Sequence, residues 1–237
     1  MKPFHDKTLK ILDEWMSTFN WEPGHMRQVA RLAVRIFDEL TDLHGLSDED
    51  RFLLEGAALV HDVGFGMDPF EKGLAKALSN PAASHHKLSR DLILGHDFPG
   101  LDNRQKTIIA LLARYHRKAP PKRKHKLFGK LGKSDRERVK KLAALLRIAD
   151  GLDRSHTRVV EDLHCRLEEK HVAFVLKAYR NPGSEMYGAR KKSALFEDIF
   201  QRKLVLEIRD TPLFPHTGSV PARQRGKSTV RRKKCTK

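Results

Sequence analysis

The stretch that most limits how this chain can fold is an apolar run that ends in two ionisable residues. Residues 53–66 read LLEGAALVHDVGFG. Leu53, Leu54, Ala57, Ala58 and Val60 have the spacing of a buried helix, and that helix delivers His61-Asp62 at its end. An imidazole beside a carboxylate is costly to bury unless something satisfies both. A divalent cation does so, because nitrogen and oxygen donors suit Mn, Fe, Co, Ni or Zn. Gly64 follows, and a left-handed glycine there is the expected helix stop. One such dipeptide is weak evidence, since His-Asp pairs are common on surfaces.

The same arrangement recurs along the chain. The spacing predicts an amphipathic lead-in helix over 6–19, with Leu9, Leu12, Trp15, Met16 and Phe19 on its inner face. Pro23-Gly24 open a second helix whose stripe is Val29, Leu32, Ala33, Ile36, Phe37 and Leu40. Four residues before Val29 stands His25, at the N-terminal end of that stripe. Ser47 and the acids after it start the helix that ends at His61-Asp62. Residues 65–81 are punctuated by Gly, Pro and Asn and read as a flap over a site. A helix from about Ala82 carries His85 in register with Leu88, Ser89 and Leu92, with His86 one step off. Another, over about 103–117, closes its stripe with His116 before Pro120-Pro121 forbid continuation. Ser134 to Glu137 reads as a capping box, and the helix behind it ends Leu146, Ala149, Asp150.

Beyond Gly151 the period changes. Leu163, Cys165 and Leu167 alternate, as do Val172, Phe174 and Leu176, so 163–176 reads as a hairpin. A helix over 189–201 and a strand at Leu204–Ile208 complete a small α+β lobe that must pack on the helices to be stable. From Thr211 the chain is rich in Pro, Gly and charge and reads as disordered. The expected organisation is mainly α: a helical metal-binding domain over 1–158, the small lobe over 159–210 and a basic tail over 211–237.

Charge is concentrated. The net charge is +17, yet residues 117–133 and 221–237 each hold eight Lys or Arg and no acid, so the remainder is close to neutral. Mobile, solvated segments are the bland explanation; attraction of a nucleotide, polyphosphate or nucleic acid is the sharper one. The N-terminus MKPFHDKTLK has no apolar stretch behind its charges, no run approaches the ~20 apolar residues of a membrane span, and Cys165 and Cys235 make no disulfide framework. A soluble cytoplasmic protein is expected.

Five helices thus bring His25, His61-Asp62, His85, His116 and Asp150 to the ends of buried stripes. Shared coordination of a cation satisfies all of them together. The order His, His-Asp, Asp resembles the HD-domain phosphohydrolase superfamily. The segments HMRQVARLAVRIFDEL, LEGAALVHDVG, HHKLS, ARYHRKAPP and KLAALLRIADGLDRS resemble, more narrowly, the HD module of the Ppx/GppA (exopolyphosphatase/guanosine pentaphosphatase) family, and SALFEDIFQRKLVLEI its small following lobe.

The resemblance implies an HD-domain helical bundle that holds one or two divalent metals (Mn, Fe, Co, Ni or Mg). His25, His61, Asp62 and Asp150 match the ligands of a first metal; Asp62 bridges to a second, where His85 and His116 stand. His61 and Asp62 would be the catalytic pair. Lys87, Arg117, Lys118, Arg147 and Arg154 flank the ligands by sequence and are the candidate phosphate contacts, and Asp153 either holds Arg154 or stands behind a ligand. Leu88 replaces a histidine that many relatives carry, and no residues match the family's N-terminal phosphatase lobe, so exopolyphosphatase activity is not implied. No Gly-Tyr-Pro follows His116, which argues against a cyclic-dinucleotide hydrolase. The expected activity is metal-dependent hydrolysis of a phosphate ester or phosphoanhydride in a nucleotide or other polyphosphorylated anion. The alternative is a non-catalytic module that binds polyphosphate or nucleic acid through the basic loop and tail.

Overall fold

A computed structural model describes residues 2–19, 21–66 and 81–209. Most of the expected flap and the whole of the basic tail, with Cys235, lie outside the described residues.

The helices are α1 (Lys2–Ser17), α2 (Pro23–Glu39), α3 (Thr41–His44), α4 (Asp48–Val60), α5 (Pro81–Gly95), α6 (Asn103–Tyr115), α7 (Lys126–Gly129), α8 (Lys133–Gly151), α9 (Gly183–Lys192) and α10 (Ala194–Phe200). A 3-10 turn at Val63–Phe65 follows α4. The strands are β1 (Val160–Leu167), β2 (His171–Ala178) and β3 (Lys203–Ile208). Apolar side chains of α1, α2, α4, α6 and α8 meet in one core that continues through β1, β2 and α10 to Leu206. Among the described residues no helix is long and apolar enough to cross a membrane.

Local chemistry explains the starts of α4 and α6. Ser47 and Asp50 form a capping box on α4, and Asp102 and Gln105 form another on α6. The box expected at Ser134 is absent. Helix α8 begins two residues earlier, with Gly132 as its cap, and Asp135 pairs instead with Arg104 and Arg138. Gly64 is not left-handed either: the positive-φ glycines among the described residues are Gly45 and Gly100. Its role is close approach. A Cβ on Gly64 would lie 2.4 Å from the His85 carbonyl oxygen and 2.8 Å from the Ser89 nitrogen, so only glycine lets the turn after α4 touch α5. Ser89 Oγ accepts from the Gly64 N–H at 3.0 Å and fixes that contact.

β1 and β2 form the expected antiparallel hairpin. β3 lies parallel to β2 in the order β1-β2-β3, which requires a long crossover. Two helices supply it, α9 and α10, where the sequence reads as one helix over 189–201. The break falls at Ser193, whose hydroxyl donates to the Arg190 carbonyl at 3.0 Å. The sheet docks on α2 through the free edge of β1. Gln28 Nε2 donates to the Val160 carbonyl at 2.7 Å, Arg35 Nε to the Leu163 carbonyl at 2.9 Å, and Glu39 Oε2 accepts from the Cys165 N–H at 3.1 Å. Side chains of α2 thereby satisfy an edge that would otherwise invite another strand.

A candidate metal centre between five helices

His25 starts α2, His61 and Asp62 follow α4, His85 lies in α5, His116 follows α6 and Asp150 lies in the last turn of α8. All six are buried. They converge as two triads, His25–His61–Asp150 and Asp62–His85–His116, and within each the donor atoms lie within 4.8 Å of one another. Asp62 belongs to both neighbourhoods. Its Oδ1 is 3.3 Å from His85 Nε2 and 3.4 Å from His116 Nε2, while its Oδ2 is 3.6 Å from His61 Nε2 and 4.0 Å from His25 Nε2. His25 Nε2 is 3.7 Å from Asp150 Oδ1.

The far sides of the rings fix their tautomers. His61 Nδ1 donates to the Ala58 carbonyl at 2.7 Å, and His116 Nδ1 donates to the Ala113 carbonyl at 2.7 Å. His25 Nδ1 donates to Asp153 Oδ2 at 2.8 Å. With these protons on Nδ1, the Nε2 lone pairs point inward, the usual arrangement behind metal-ligating histidines. His25 Nε2, His61 Nε2 and Asp62 Oδ1 are buried without a hydrogen-bond partner. Lone pairs facing lone pairs across 3–4 Å repel unless a cation stands between them, so this donor set fits a divalent metal.

Electrostatics points the same way. Burial alone would raise Asp62, but the nearby imidazoles of His61, His116 and His85 hold it down at about 2. Burial would raise Asp150 too; Lys192 and the His25 contact hold it well below the ordinary carboxylate range. Burial lowers His85 to about 4 and lowers His116 well below the usual imidazole value. His25 goes the other way. Burial disfavours its charge, but contacts with Asp150 and Asp153 and the field of Asp62 raise it to about 10. A proton and a metal compete for the same Nε2 lone pair, so the raised value states that carboxylates demand positive charge at that point.

These shifts carry a pH signature for the chelator-treated protein. Burial, with Arg114 nearby, lowers His86 to about 3, and His85 and His116 are also depressed. Their unfolded-state value is near 6.5. Between that value and their folded values the unfolded chain binds more protons, so stability falls as pH falls, by up to about 1.4 kcal/mol per pH unit per histidine. His25 has the opposite sign: its contribution is full below 6.5 and is lost as pH rises toward about 10. Denaturant unfolding should therefore show a midpoint that drops between about pH 6.5 and pH 4.5 and also declines above neutrality. A flat acid limb would mean that the histidines are solvated.

The centre forms the floor of a cavity of about 480 Å³. Its walls carry Arg117, Lys118, Arg147, Arg154, Lys191 and Lys192 against the carboxylates of Asp62 and Asp150. Of the sequence-derived phosphate contacts, Arg117, Lys118, Arg147 and Arg154 thus reach the cavity. Lys87 does not: it is exposed and is absent from the lining. Arg147 is committed to backbone, donating to the Tyr115 carbonyl and the Lys118 carbonyl at 2.9 Å each. Arg117 Nη1 sits 3.3 Å from His85 Nε2.

Four residues at the site were not singled out by the sequence. Lys192 makes an ion pair with Asp150. Lys191 lies on the same wall. His156, at φ 56°, stacks on His25 with ring centroids 3.8 Å apart and binds Glu22 through Nδ1 at 2.6 Å. Phe65 stacks on His85 at 3.7 Å and on Trp21 at 4.4 Å, covering that side of the centre. Asp153 is fully buried and takes the second of its two expected roles: it accepts from His25 and from the Arg158 N–H at 2.8 Å, and forms no ion pair with Arg154 among the described residues.

No curated protein matches the chain. The family model described as Ppx/GppA phosphatase, domain III, matches residues 10–185, a span that contains all six donors and stops before Lys191 and Lys192. With about three quarters of its length inside that match, the chain belongs to the Ppx/GppA phosphatase domain III family.

Proposed function

We propose that this chain is a metal-dependent phosphohydrolase of the HD type, acting on a phosphate ester or phosphoanhydride of a nucleotide or other polyphosphorylated anion. The observation that carries the reading is the inward convergence of imidazole Nε2 atoms on the Asp62 oxygens, with His25 Nε2, His61 Nε2 and Asp62 Oδ1 buried and without a hydrogen-bond partner. The cationic walls over that centre support an anionic substrate.

A divalent cation in this place supplies Lewis acidity, acidifying water and offsetting charge on a phosphoryl group. Asp62 offers one oxygen to each triad and sets their spacing. His61 and His116 are held by the carbonyls of their own helices, which turns their Nε2 atoms toward the centre. Asp153 does the same for His25. Arg117, Lys118, Arg154 and Lys191 line the cavity where phosphate oxygens would sit, and their charge opposes the negative charge that develops in phosphoryl transfer. Phe65 and Trp21 exclude water from the His85 side.

Metal analysis of the purified chain, with turnover of nucleotides and polyphosphates in Mn, Fe(II), Co, Ni or Mg, tests the proposal. The expected result is bound divalent metal and turnover that chelation removes; a metal-free protein that no divalent ion activates would refute it. One observation favours a second reading. Lys192 already sets an ammonium against Asp150, so the centre can be neutralised from within the chain. On that reading the cationic walls bind polyphosphate or nucleic acid without turnover, and salt-dependent binding survives Asp62→Ala.

A further inference from the structure

The basic segment 117–133 reads in sequence as a loop. In the fold it is a built wall. Phe128 is 1% exposed, Pro121 is buried, and Gly129 packs so closely that a Cβ there would lie 2.3 Å from the Arg123 carbonyl oxygen. His125 Nδ1 accepts from the Lys122 N–H at 3.3 Å and faces the Tyr115 hydroxyl at 2.8 Å. Because a backbone N–H only donates, Nδ1 holds the lone pair and the imidazole proton sits on Nε2.

This wall and α5 enclose a second cavity of about 460 Å³, within the range of small-molecule sites. One part of its lining is apolar: Leu94, Leu111, Leu127 and Phe128. The other part is cationic: Arg90, Arg114, Lys126 and Lys130, with Asp91 as the one carboxylate. Asp91 is taken up by Arg90, whose Nε and Nη2 both donate to it at 2.8 Å. Arg114 has no such partner. Its Nη1 is buried without an acceptor, its guanidinium lies 5.6 Å over the Tyr115 ring, and among the described residues it forms no ion pair. A half-buried guanidinium with one nitrogen cut off from water and from any acceptor is a point where an anion is favoured. The end of α6 lies between this cavity and the metal centre: Arg114 and Tyr115, in its last turn, line this one, and His116 and Arg117, just beyond it, line the other.

We infer that this cleft is a second ligand site, one that binds a phosphomonoester carried on a flat apolar body, the chemistry of a nucleoside monophosphate. The phosphate accepts from Arg114, Lys126, Lys130 and the His125 Nε2–H, and the base and sugar cover the leucines and Phe128. Inorganic polyphosphate has no apolar part for that wall. The site is independent of the hydrolase reading, because none of its groups is a metal donor.

Calorimetric titration of the full, chelator-treated chain with AMP, GMP, CMP and UMP tests this, with the parent nucleosides and inorganic phosphate as controls. At least one mononucleotide should bind tenfold or more tighter than its nucleoside and than phosphate. Lys126→Ser/Lys130→Ser should weaken that binding at least tenfold, as should Arg114→Met, while Lys87→Ser leaves it unchanged. Should Arg114→Met fail to fold, the exposed lysine pair decides. Mononucleotides that bind no tighter than inorganic phosphate overturn the inference, and so does binding that both lysine substitutions leave intact.

Discussion

Asp62→Ala is expected to abolish the metal-dependent stability of this protein and to reduce any phosphohydrolase turnover on the order of 10³-fold, about 4 kcal/mol of barrier. Asp62 turns one oxygen to each group of histidines: Oδ1 faces His85 and His116, Oδ2 faces His61 and His25. Its loss removes a ligand from each half of the centre, whereas His61→Ala removes one from a single half. At free metal about 100 times its dissociation constant, a binder of the native state adds about 2.7 kcal/mol. Wild-type protein should show a gain of that order in Mn or Co, and Asp62→Ala none. Both chelated forms should unfold in one cooperative transition, since Asp62 sits among imidazoles and not in the apolar core. Thermal unfolding with and without metal, run beside metal analysis, checks it. An Asp62→Ala protein that retains the full metal-dependent gain would show that the six side chains do not act as one centre.

The six donors were legible because each ends an apolar stripe. Helical periodicity places a residue on a face without knowledge of what that face meets, so His25, His61, His85, His116 and Asp150 could be assigned inward helix by helix. Asp153 lies three residues beyond Asp150, close enough to share its turn, and that spacing was a usable signal. Lys192, Lys191 and His156 carry no such signal. His156 reaches His25 because the chain turns through positive φ at His156 and Arg158, and positive φ at a non-glycine residue is not marked in sequence. Lys192 reaches Asp150 because α9 crosses α8. Helix α9, GSEMYGARKK, has no apolar stripe of its own, so the helix read over 189–201 takes in only its last four residues. In sequence Gly64 reads as a stop, yet its task is contact, and glycine serves both ends equally well.

What holds α9 in place is backbone against backbone, and a substitution there should be the most destabilising on the cavity wall. A Cβ on Gly188 would lie 2.4 Å from the Gly151 carbonyl oxygen and 3.0 Å from Arg154 Cβ. A Cβ on Gly151 would lie 2.6 Å from both Ala189 Cα and Ala189 N. Glycine inside a helix costs up to about 1 kcal/mol relative to alanine, so its presence at both partners makes sense only if the helices need that proximity. Gly188→Val has no flexible side-chain end to push aside; α9 must move as a body. Overpacking in cores costs 1–3 kcal/mol where side chains can adjust, and here about 3 kcal/mol or more is expected. For a chain of this size that is a fall of roughly 6–12 °C in Tm. The same movement draws Lys192 from Asp150 and shifts Lys191 on the wall, so substrate or polyphosphate affinity should fall with it. Gly95→Ala is the control: nothing lies within 4 Å of its added Cβ, and its φ is not positive. It should be neutral or stabilising by up to about 1 kcal/mol. If Gly188→Val unfolds within a degree or two of Gly95→Ala, the two helices do not meet as closely as described, and the Lys192–Asp150 pair loses its support.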